Sequence, residues 1–325
     1  MDRYLLSTTN DCRDRAGEIM EKLETYGVCI LGSGVFYVSG VEMPDGASLM
    51  GMGACSELIL DENLDAGYAV LMRSRCAMRN LSVLGAAEDI DRPTEMGKRH
   101  GIGFIGTATK ENRTGQPVDS MISGCHIRNF TGGGITCADT GYGINASLCV
   151  SDCRIHYCGA GINISHFSEY HKFNNVVSTR NLYGCINNGG NNVFTGCGFD
   201  GNTLGFLIDN SQGQSPNNAH GSCVACTFNH TNFNAGIGIK VVGSKPGYVF
   251  SDCQVFFSEI VVEDSQGIQF NHFNFGRDQK IRVKGGGSVV FTGCVFTKQP
   301  QFDLEDAVDL RICQCCTKTG EAVSL

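Results

Sequence analysis

A short phrase recurs along this chain: an apolar residue, two small or polar residues, a Cys or another apolar residue, one further residue, and an apolar residue. The copies are Ile122–Ile127, Val150–Ile155, Phe194–Phe199, Cys223–Phe228, Phe250–Val255, Phe270–Phe275 and Phe291–Phe296. Successive copies lie 28, 44, 29, 27, 20 and 21 residues apart, and the 44 divides into 23 and 21 if Val176 anchors a degenerate copy. An internal period of roughly 20 to 50 residues indicates a solenoid.

A second run of alternating polarity follows most copies of the phrase. These runs are Ile135–Ala138, Ile162–Ser165, Phe206–Asp209, Ile239–Val242, Ile260–Glu263, Ile281–Lys284 and Phe302–Glu305. A period of two is typical of strands with one buried face, and no helical period occurs between residues 120 and 310. Two or three short strands per repeat predict an all-β fold, a right-handed parallel β-helix.

The beginning of the chain has a different pattern. One face of a helix over residues 11–26 would carry apolar side chains, and such a helix would cover the open end of the coil. The members of that face are Cys12, Ala16, Ile19, Met20 and Leu23. Because no linker interrupts the repeats, we expect one domain over residues 1–325, with the capping helix, β-helix turns over 27–310, and an end turn or tail over 311–325.

Several functional classes are disfavoured by composition. The formal net charge is −8, and no basic stretch is interleaved with aromatic residues, so nucleic-acid binding is not expected. No apolar run approaches the roughly 20 residues of a membrane span, so membrane insertion is not expected. The segment Met1–Leu6 lacks the apolar core of a signal peptide. Gly101–Gly106 matches the letters of a dinucleotide fingerprint, but we predict that it lies in a long loop with no helix behind it, so no cofactor is expected.

The 18 cysteines raise the question of disulfides or metal. Six of them share one phase of the repeat, and we expect them to stack as an interior ladder of reduced thiols. These are Cys125, Cys153, Cys197, Cys226, Cys253 and Cys294. The spacing of Cys223 and Cys226 also fits a redox motif, and Cys313–Cys316 could hold a soft metal, but neither has the companion residues that such a site needs. No metal site is predicted.

Long insertions follow the second runs in the first half of the chain, at Leu84 to Asp119, Asp139 to Leu148, His166 to Lys172 and Asn210 to Ser222. Loops that leave one corner of a coil stack into a wall, and loops on a rigid scaffold are where binding and catalysis concentrate. The catalytic candidates on this wall are Asp209, Glu169, Asp139 and Asp200, and the substrate-binding candidates are His166, His171, His220, Tyr142 and Tyr170. Paired carboxyl groups suit glycoside hydrolysis, although each residue taken alone can equally be a solvated loop residue.

The opening of the chain resembles the pectin lyase-like superfamily. After the predicted helix come Gly27–Val38 and Ala47–Gly53, which are similar to that group's first strand, Gly-aromatic turn and "Leu-x-Gly-x-Gly" strand end. The catalytic signatures of polygalacturonases, of calcium-binding pectate lyases and of sugar epimerases are absent. The Asn-rich segments Asn187–Asn192 and Asn217–Gly221 look more like phage and prophage tail-spike and tail-fibre proteins. That resemblance implies a trimeric glycan-binding protein, extracellular or on the virion, with no signal peptide because lysis releases it.

Three functions stay open at this point. The first is a tail-spike-like protein that recognises a cell-surface polysaccharide and, in some members, depolymerises it. The second is a free-standing polysaccharide lyase or glycoside hydrolase, and the third is a structural or adhesive module without chemistry. Leu207, Val242 and Val261 are apolar at outward positions, which predicts the interface of a homotrimer.

Overall fold

The computed structural model describes residues 3–9, 11–88, 90–112, 114–212, 219–230, 236–276, 280–285, 287–306 and 308–324. The chain forms a right-handed parallel β-helix, as predicted, with three parallel sheets that each turn of the coil visits in the same order. The first sheet has 13 strands: Leu5–Leu6, Val28–Leu31, Ser48–Met50, Ala77–Arg79, Met121–Ser123, Cys149–Ser151, Lys172–Asn174, Asn192–Thr195, Gly221–Val224, Tyr248–Ser251, Ile268–Asn271, Ser288–Thr292 and Asp309–Cys313.

The second sheet is built of short strands in two blocks. These are Gly34–Val38, Ser56–Leu60, Ser82–Leu84, His126–Arg128, Arg154–His156 and Val177–Thr179, then Gln254–Phe256, Asn274–Gly276, Val295–Phe296 and Cys316–Thr317. Single bridges at Gly198 and Thr227 connect the two blocks. The second sheet is therefore continuous along the coil.

The third sheet has 11 strands: Val41–Met43, Gly67–Met72, Arg99–Ile105, Gly133–Ala138, Ala160–Ile164, Tyr183–Asn187, Leu204–Asp209, Gly236–Val242, Ser258–Glu263, Lys280–Lys284 and Gln301–Leu304. All seven alternating runs of the sequence lie in this sheet. Two short strands, Asn145–Ala146 and Ser168–Glu169, pair outside the three main sheets. Each turn thus runs from the first sheet through the second to the third, and then returns to the first.

The recurrent phrase spans two strands rather than one. Its third residue has a left-handed backbone, as at Gly124 (φ 62°) and Asp252 (φ 56°), which bends the chain from the first sheet into the second. The fourth residue then points inward: Cys125 is fully buried, and Cys253 is 2 % exposed. The phrase keeps the same spacing in every copy because each copy contains the tight turn between the first and second sheets.

The interior is a stack of like side chains. All six cysteines of the predicted ladder are buried, and all 18 cysteines are free thiols. Burial raises the pKa of the Cys294 thiol to about 12. Phenylalanine rings stack beside the sulfur atoms, with ring centroids 4.8 Å apart for Phe173 and Phe194. Such repetition lets each turn bury the apolar face of its neighbour.

The helix spans Ala16–Tyr26 and begins five residues later than predicted. Ile19 and Leu23 are buried against the first turns, and Gly27 ends the helix with a left-handed backbone, its N–H bonded to Leu23 O at 2.9 Å. Cys12 is exposed and precedes the helix, so its assignment to the buried helical face is wrong. No helix among the described residues is long and apolar enough to cross a membrane.

Candidate functional site

The connections from the third sheet back to the first form a stack of loops along one corner of the coil. We call these residues, 106–120, 139–148, 165–171, 188–191 and 210–220, the loop wall; Arg113 and residues 213–218 of it, which include Asn217 and Asn218 of the resemblance, lie outside the described residues. Parallel bridges connect neighbouring loops, from Val118 to Ala146 and from Glu169 to Gly190. The predicted wall therefore exists and is tied together by backbone pairing.

The first predicted insertion, Leu84 to Asp119, is wrong as a single loop. Arg99–Ile105 inside it is a strand of the third sheet, so Gly101–Gly106 does not lie in a long loop. Ile102 and Phe104 point into the core and have no exposed surface. This alternation of apolar residues is typical of a strand, and we overlooked it because the same segment matches the dinucleotide fingerprint. The segment is split between two corners, with residues 85–98 before the strand and residues 106–120 after it.

His171 lies beneath the wall and is not available to a substrate. It is fully buried, its Nδ1 accepts a hydrogen bond from the N–H of Leu148 at 3.1 Å, and its Nε2 lies 3.2 Å from Oδ1 of Asn145. Burial lowers the pKa of His171 to about 3, so the ring is neutral. The prediction that His171 binds substrate is wrong, because the ring is fully buried and both of its nitrogens bond the neighbouring loop 139–148.

The buried polar chain continues along the corner. Asn192 accepts from the N–H of His171 at 2.9 Å and donates to Oδ1 of Asn187 at 2.9 Å, and Asn187 donates to the hydroxyl of Tyr248 at 3.2 Å. Asn145 donates to the carbonyl of Phe104 at 2.9 Å. These bonds satisfy backbone groups that the loops would otherwise leave unpaired inside the coil.

One depression in the wall is lined by aromatic and aliphatic side chains together with a glutamine. Tyr142 and Ile144 are 47 % and 43 % exposed, and Phe167 lies beside them. With Gln116 and neighbouring glycines they line a volume of about 440 Å³. Tyr170, on the same wall, is 54 % exposed. Tyr142 and Tyr170 are therefore candidates for contact with a ligand.

A second depression brings two predicted residues together. Glu169, Asn191, His220 and Pro246 line a volume of about 350 Å³. Asn191 donates to Oε2 of Glu169 at 3.2 Å. The His220 ring lies against Gly190, where an added Cβ would be 2.6 Å from the ring carbon Cε1. Nδ1 of His220 is buried and has no hydrogen-bond partner among the described residues.

Asp209 ends a strand of the third sheet and borders the wall near His166. His166 Nε2 is 3.2 Å from Oδ1 of Asn210. Partial burial lowers the pKa of His166, and Asn210 and Asp209 oppose that effect. Asp209 caps its own loop, since its Oδ1 accepts from the N–H of Ser211 at 2.9 Å.

The remaining two carboxylates lie at different corners. Asp139 is on the wall, where its Oδ1 accepts from the N–H of Gly141 at 3.0 Å and its Oδ2 is buried without a partner among the described residues. Asp200 lies between the second and third sheets and accepts from Thr227 Oγ1 at 2.9 Å and from Asn229 N–H at 2.8 Å. Asp200 is therefore not part of the wall, and its placement there by sequence is wrong.

The corner that precedes the third sheet carries a feature that the sequence did not indicate. Residues 86–97, of which residue 89 is not described, run along this corner as a strap. The carbonyl of Glu88 accepts from Asn129 at 2.8 Å, the N–H of Gly97 donates to Thr131 O at 2.7 Å, and Arg92 donates to the carbonyl of Gly201 at 2.8 Å. The outer face of the third sheet thus lies between the strap and the loop wall.

Within the part of the chain that the structure describes, no group of three His, Cys, Asp or Glu side chains is arranged to hold an ion.

No protein-family model matches the chain, and no curated protein matches it. Solved structures do. The tailspike gp49 of Acinetobacter baumannii bacteriophage Fri1, described as a capsular polysaccharide depolymerase, matches with a TM-score of 0.61 at 11 % identity, over 94 % of this chain and 63 % of its own. ORF18 of Geobacillus virus E2 matches at 0.55 with 12 % identity, over 97 % and 61 %.

A bacterial enzyme module has the same architecture. The A-module of mannuronan C-5 epimerase AlgE6 from Azotobacter vinelandii matches at 0.51 with 12 % identity, over 94 % of this chain and 95 % of the module. The chain has the fold of these parallel β-helices. It spans 61 % and 63 % of the two phage proteins, and 41 % of the enzymatically active domain of bacteriophage CBA120 tailspike protein 2. The predicted resemblance to tail-spikes is confirmed at the level of the fold.

Proposed function

We propose that this protein binds a polysaccharide along the loop wall, as a β-helix protein of the phage tail-spike kind. The observation that carries the proposal is the row of side chains on successive loops of one corner: Tyr142, then Glu169, then Asn191, then His220. Parallel pairing spaces successive turns about 4.8 Å apart, so a row of this kind repeats along the coil axis and suits an extended chain of sugars.

The chemistry of the row fits polyhydroxylated ligands. Tyr142 and Tyr170 are largely exposed and offer flat apolar faces on which a sugar ring can stack. Asn191 and His166 offer hydrogen-bonding groups on the same wall. A pocket with an apolar surface and a few directed polar groups is the usual form of a small-ligand site.

We further propose that Glu169 and His220 act together if the polysaccharide is cleaved. The specific support is that both side chains line the same depression of the wall. A carboxylate and an imidazole at one site can remove a proton from a sugar and return it to the leaving oxygen. Asp139 and Asp209 are the next candidates, and a non-catalytic adhesive module remains the alternative.

The same proposal includes assembly and location. Tailspike proteins of phages among the structural matches support a place on the virion. The homotrimer stays a prediction. The three residues proposed for its interface expose little apolar surface: Val261 is 2 % exposed, and Leu207 and Val242 are half-buried. Light scattering should give a mass three times 34.9 kDa at micromolar concentration, and a monomer would contradict the trimer.

The deciding experiment is product analysis with a panel of bacterial capsular, O-antigen and plant polysaccharides. Wild type, Glu169→Gln and the control Glu24→Gln, which alters an exposed carboxylate of the capping helix, are compared for binding and for new chain ends. Cleavage that is lost in Glu169→Gln alone supports the enzyme, and binding without cleavage supports a receptor-binding role. Failure to bind any polysaccharide of the panel would contradict the proposal and favour a structural module.

A further inference from the structure

The outer face of the third sheet carries a stacked pair of rings outside the loop wall. Tyr68 and His100 are direct partners on neighbouring strands, and their ring centroids are 4.8 Å apart with 20° between the planes. Glycines make room for both rings: a Cβ at Gly132 would be 2.6 Å from His100 Cε1, and one at Gly103 would be 2.7 Å from Tyr68 Cδ1. The two rings therefore lie close to the sheet.

The hydrogen bonds of His100 fix its tautomer. The N–H of Gly133 lies 2.9 Å from Nδ1 and can only donate, so Nδ1 accepts and carries no proton. The hydroxyl of Thr136 lies 3.2 Å from the same nitrogen. Burial lowers the pKa of His100, so the ring is neutral and its proton is on Nε2. His100 is consequently a fixed donor at neutral pH.

Several polar groups on this face lack protein partners. Nε2 of His100, the hydroxyl of Tyr68 and the amide of Asn163 make no hydrogen bond to any residue that the structure describes, and none of the three residues is fully buried. Groups of this kind, placed beside an aromatic surface, are suited to the hydroxyls of a ligand.

The face is also uncharged over this stretch. The outward column of the third sheet runs through Gly103, Thr136, Asn163, Ile186 and Leu207 before it reaches a charged side chain. That side chain, Lys240, is paired with Glu263 at 3.5 Å. A uronic acid or a phosphate would find no free cation in this column.

The strap borders the ring pair. Met96 is 37 % exposed and lies over Gly159, where an added Cβ would be 2.9 Å from its sulfur and 3.1 Å from the carbonyl of Gly132. Because Gly132 also contacts His100, the thioether forms an apolar edge next to the rings. A sugar on the ring pair would therefore be bounded on one side.

From this arrangement we infer that Tyr68, His100 and Asn163 form a binding subsite for an uncharged sugar residue, distinct from the loop wall and edged by Met96. The inference rests on the proposed polysaccharide-binding function and adds the class of sugar and a second point of attachment. The sugar ring stacks on Tyr68, and its hydroxyls accept from His100 Nε2 and bond to the Asn163 amide.

An array of neutral and uronic-acid oligosaccharides provides the test. The array is probed with wild type, Tyr68→Ala, Tyr68→Phe, His100→Gln, the wall variant Tyr170→Ala, and the control Tyr26→Ala, whose ring is 45 % exposed on the capping helix. Thermal melting checks that each variant is folded. We expect neutral oligosaccharides to bind, Tyr68→Ala and His100→Gln to weaken that binding about tenfold, and Tyr26→Ala to leave it unchanged.

The outcomes separate the subsite from the wall. If neutral oligosaccharides bind equally well to wild type, Tyr68→Ala and His100→Gln while Tyr170→Ala weakens binding, the subsite is wrong and the wall stands. If only uronic-acid oligosaccharides bind, the subsite is also wrong. An array without any bound oligosaccharide overturns the polysaccharide-binding function, and this subsite with it. Tyr68→Phe keeps the aromatic ring and removes only the hydroxyl. If this variant binds neutral oligosaccharides nearly as well as wild type, the contribution of Tyr68 to affinity comes from stacking and not from its hydroxyl.

Discussion

The Nε2 atom of His171 lies 3.2 Å from Oδ1 of Asn145, on the preceding turn of the coil. Because Nδ1 of the same ring accepts from the backbone of Leu148, Nε2 carries the proton and donates it to Asn145. One buried imidazole thereby joins two loops of the wall to the core. The wall is therefore held from inside by a polar network.

We predict that His171→Ala destabilises the protein by about 2 to 4 kcal/mol, since the Leu148 N–H and the Asn145 carbonyl oxygen lose their partners in the interior. Urea unfolding measures the change. The matched control is His272→Asn, because this side chain is 69 % exposed and Asn tolerates the left-handed backbone at that position (φ 49°); it should shift the free energy of unfolding by less than about 0.5 kcal/mol. Equal effects of the two substitutions would contradict the network.

The same histidine predicts a pH dependence. Burial lowers the pKa of His171 to about 3 in the folded protein, whereas an unfolded histidine has a pKa of about 6.5. Between these values the unfolded chain binds the extra proton, so stability falls as the pH falls from about 6.5 to about 3. As the pH falls below about 6.5, the difference in unfolding free energy between wild type and His171→Ala should shrink by about 1.4 kcal/mol per pH unit and change sign before the pH reaches about 3. A constant difference would mean that the ring is not buried in its neutral form.

Most of the fold could be predicted from sequence, because a repeated coil repeats its constraints. The distance in sequence between the Cys125 and Cys153 phrases equals the length of one turn of the coil. The alternation of Ile260–Glu263 predicts a strand with one buried face. The helix start was missed because Cys12 fits an apolar face by type. In the structure Asp14 instead bonds Ser39 and bridges Tyr37 as extended chain.

The interior ladder leads to a prediction about thiol reactivity. Cys12, Cys55 and Cys313 are exposed, whereas the six ladder cysteines are buried. We expect rapid reaction of about three thiols in the native protein and of all 18 after unfolding, by titration with a chromogenic disulfide. Cys253→Asp should destabilise by several kcal/mol and Cys313→Asp should not, since only the first buries an unpaired charge. Rapid reaction of most ladder thiols in the native protein would show that the stacking register is wrong.

The site could be predicted only in part. Sequence placed Glu169, His166, His220 and Asp209 on one corner because connection lengths reveal which corner carries the long loops. It could not tell that His171 points inward, because a histidine fits a loop surface and a buried network equally well. The ring pair of Tyr68 and His100 was missed for a different reason. The local sequence of neither segment shows with which distant strand it pairs, or in which register.

The last prediction separates the wall from the opposite corner. On a polysaccharide that wild type cleaves, Glu169→Gln should lower kcat by orders of magnitude with an unchanged melting temperature, because it removes a base from the His220 depression. Asp200→Asn should keep kcat, since its carboxylate accepts from Thr227 and Asn229 at the other corner and contributes to stability alone. Steady-state kinetics and thermal melting on both variants check this. If Asp200→Asn abolished cleavage while Glu169→Gln kept full activity, the reaction would take place at the strap side of the third sheet, and the loop wall would serve only to bind.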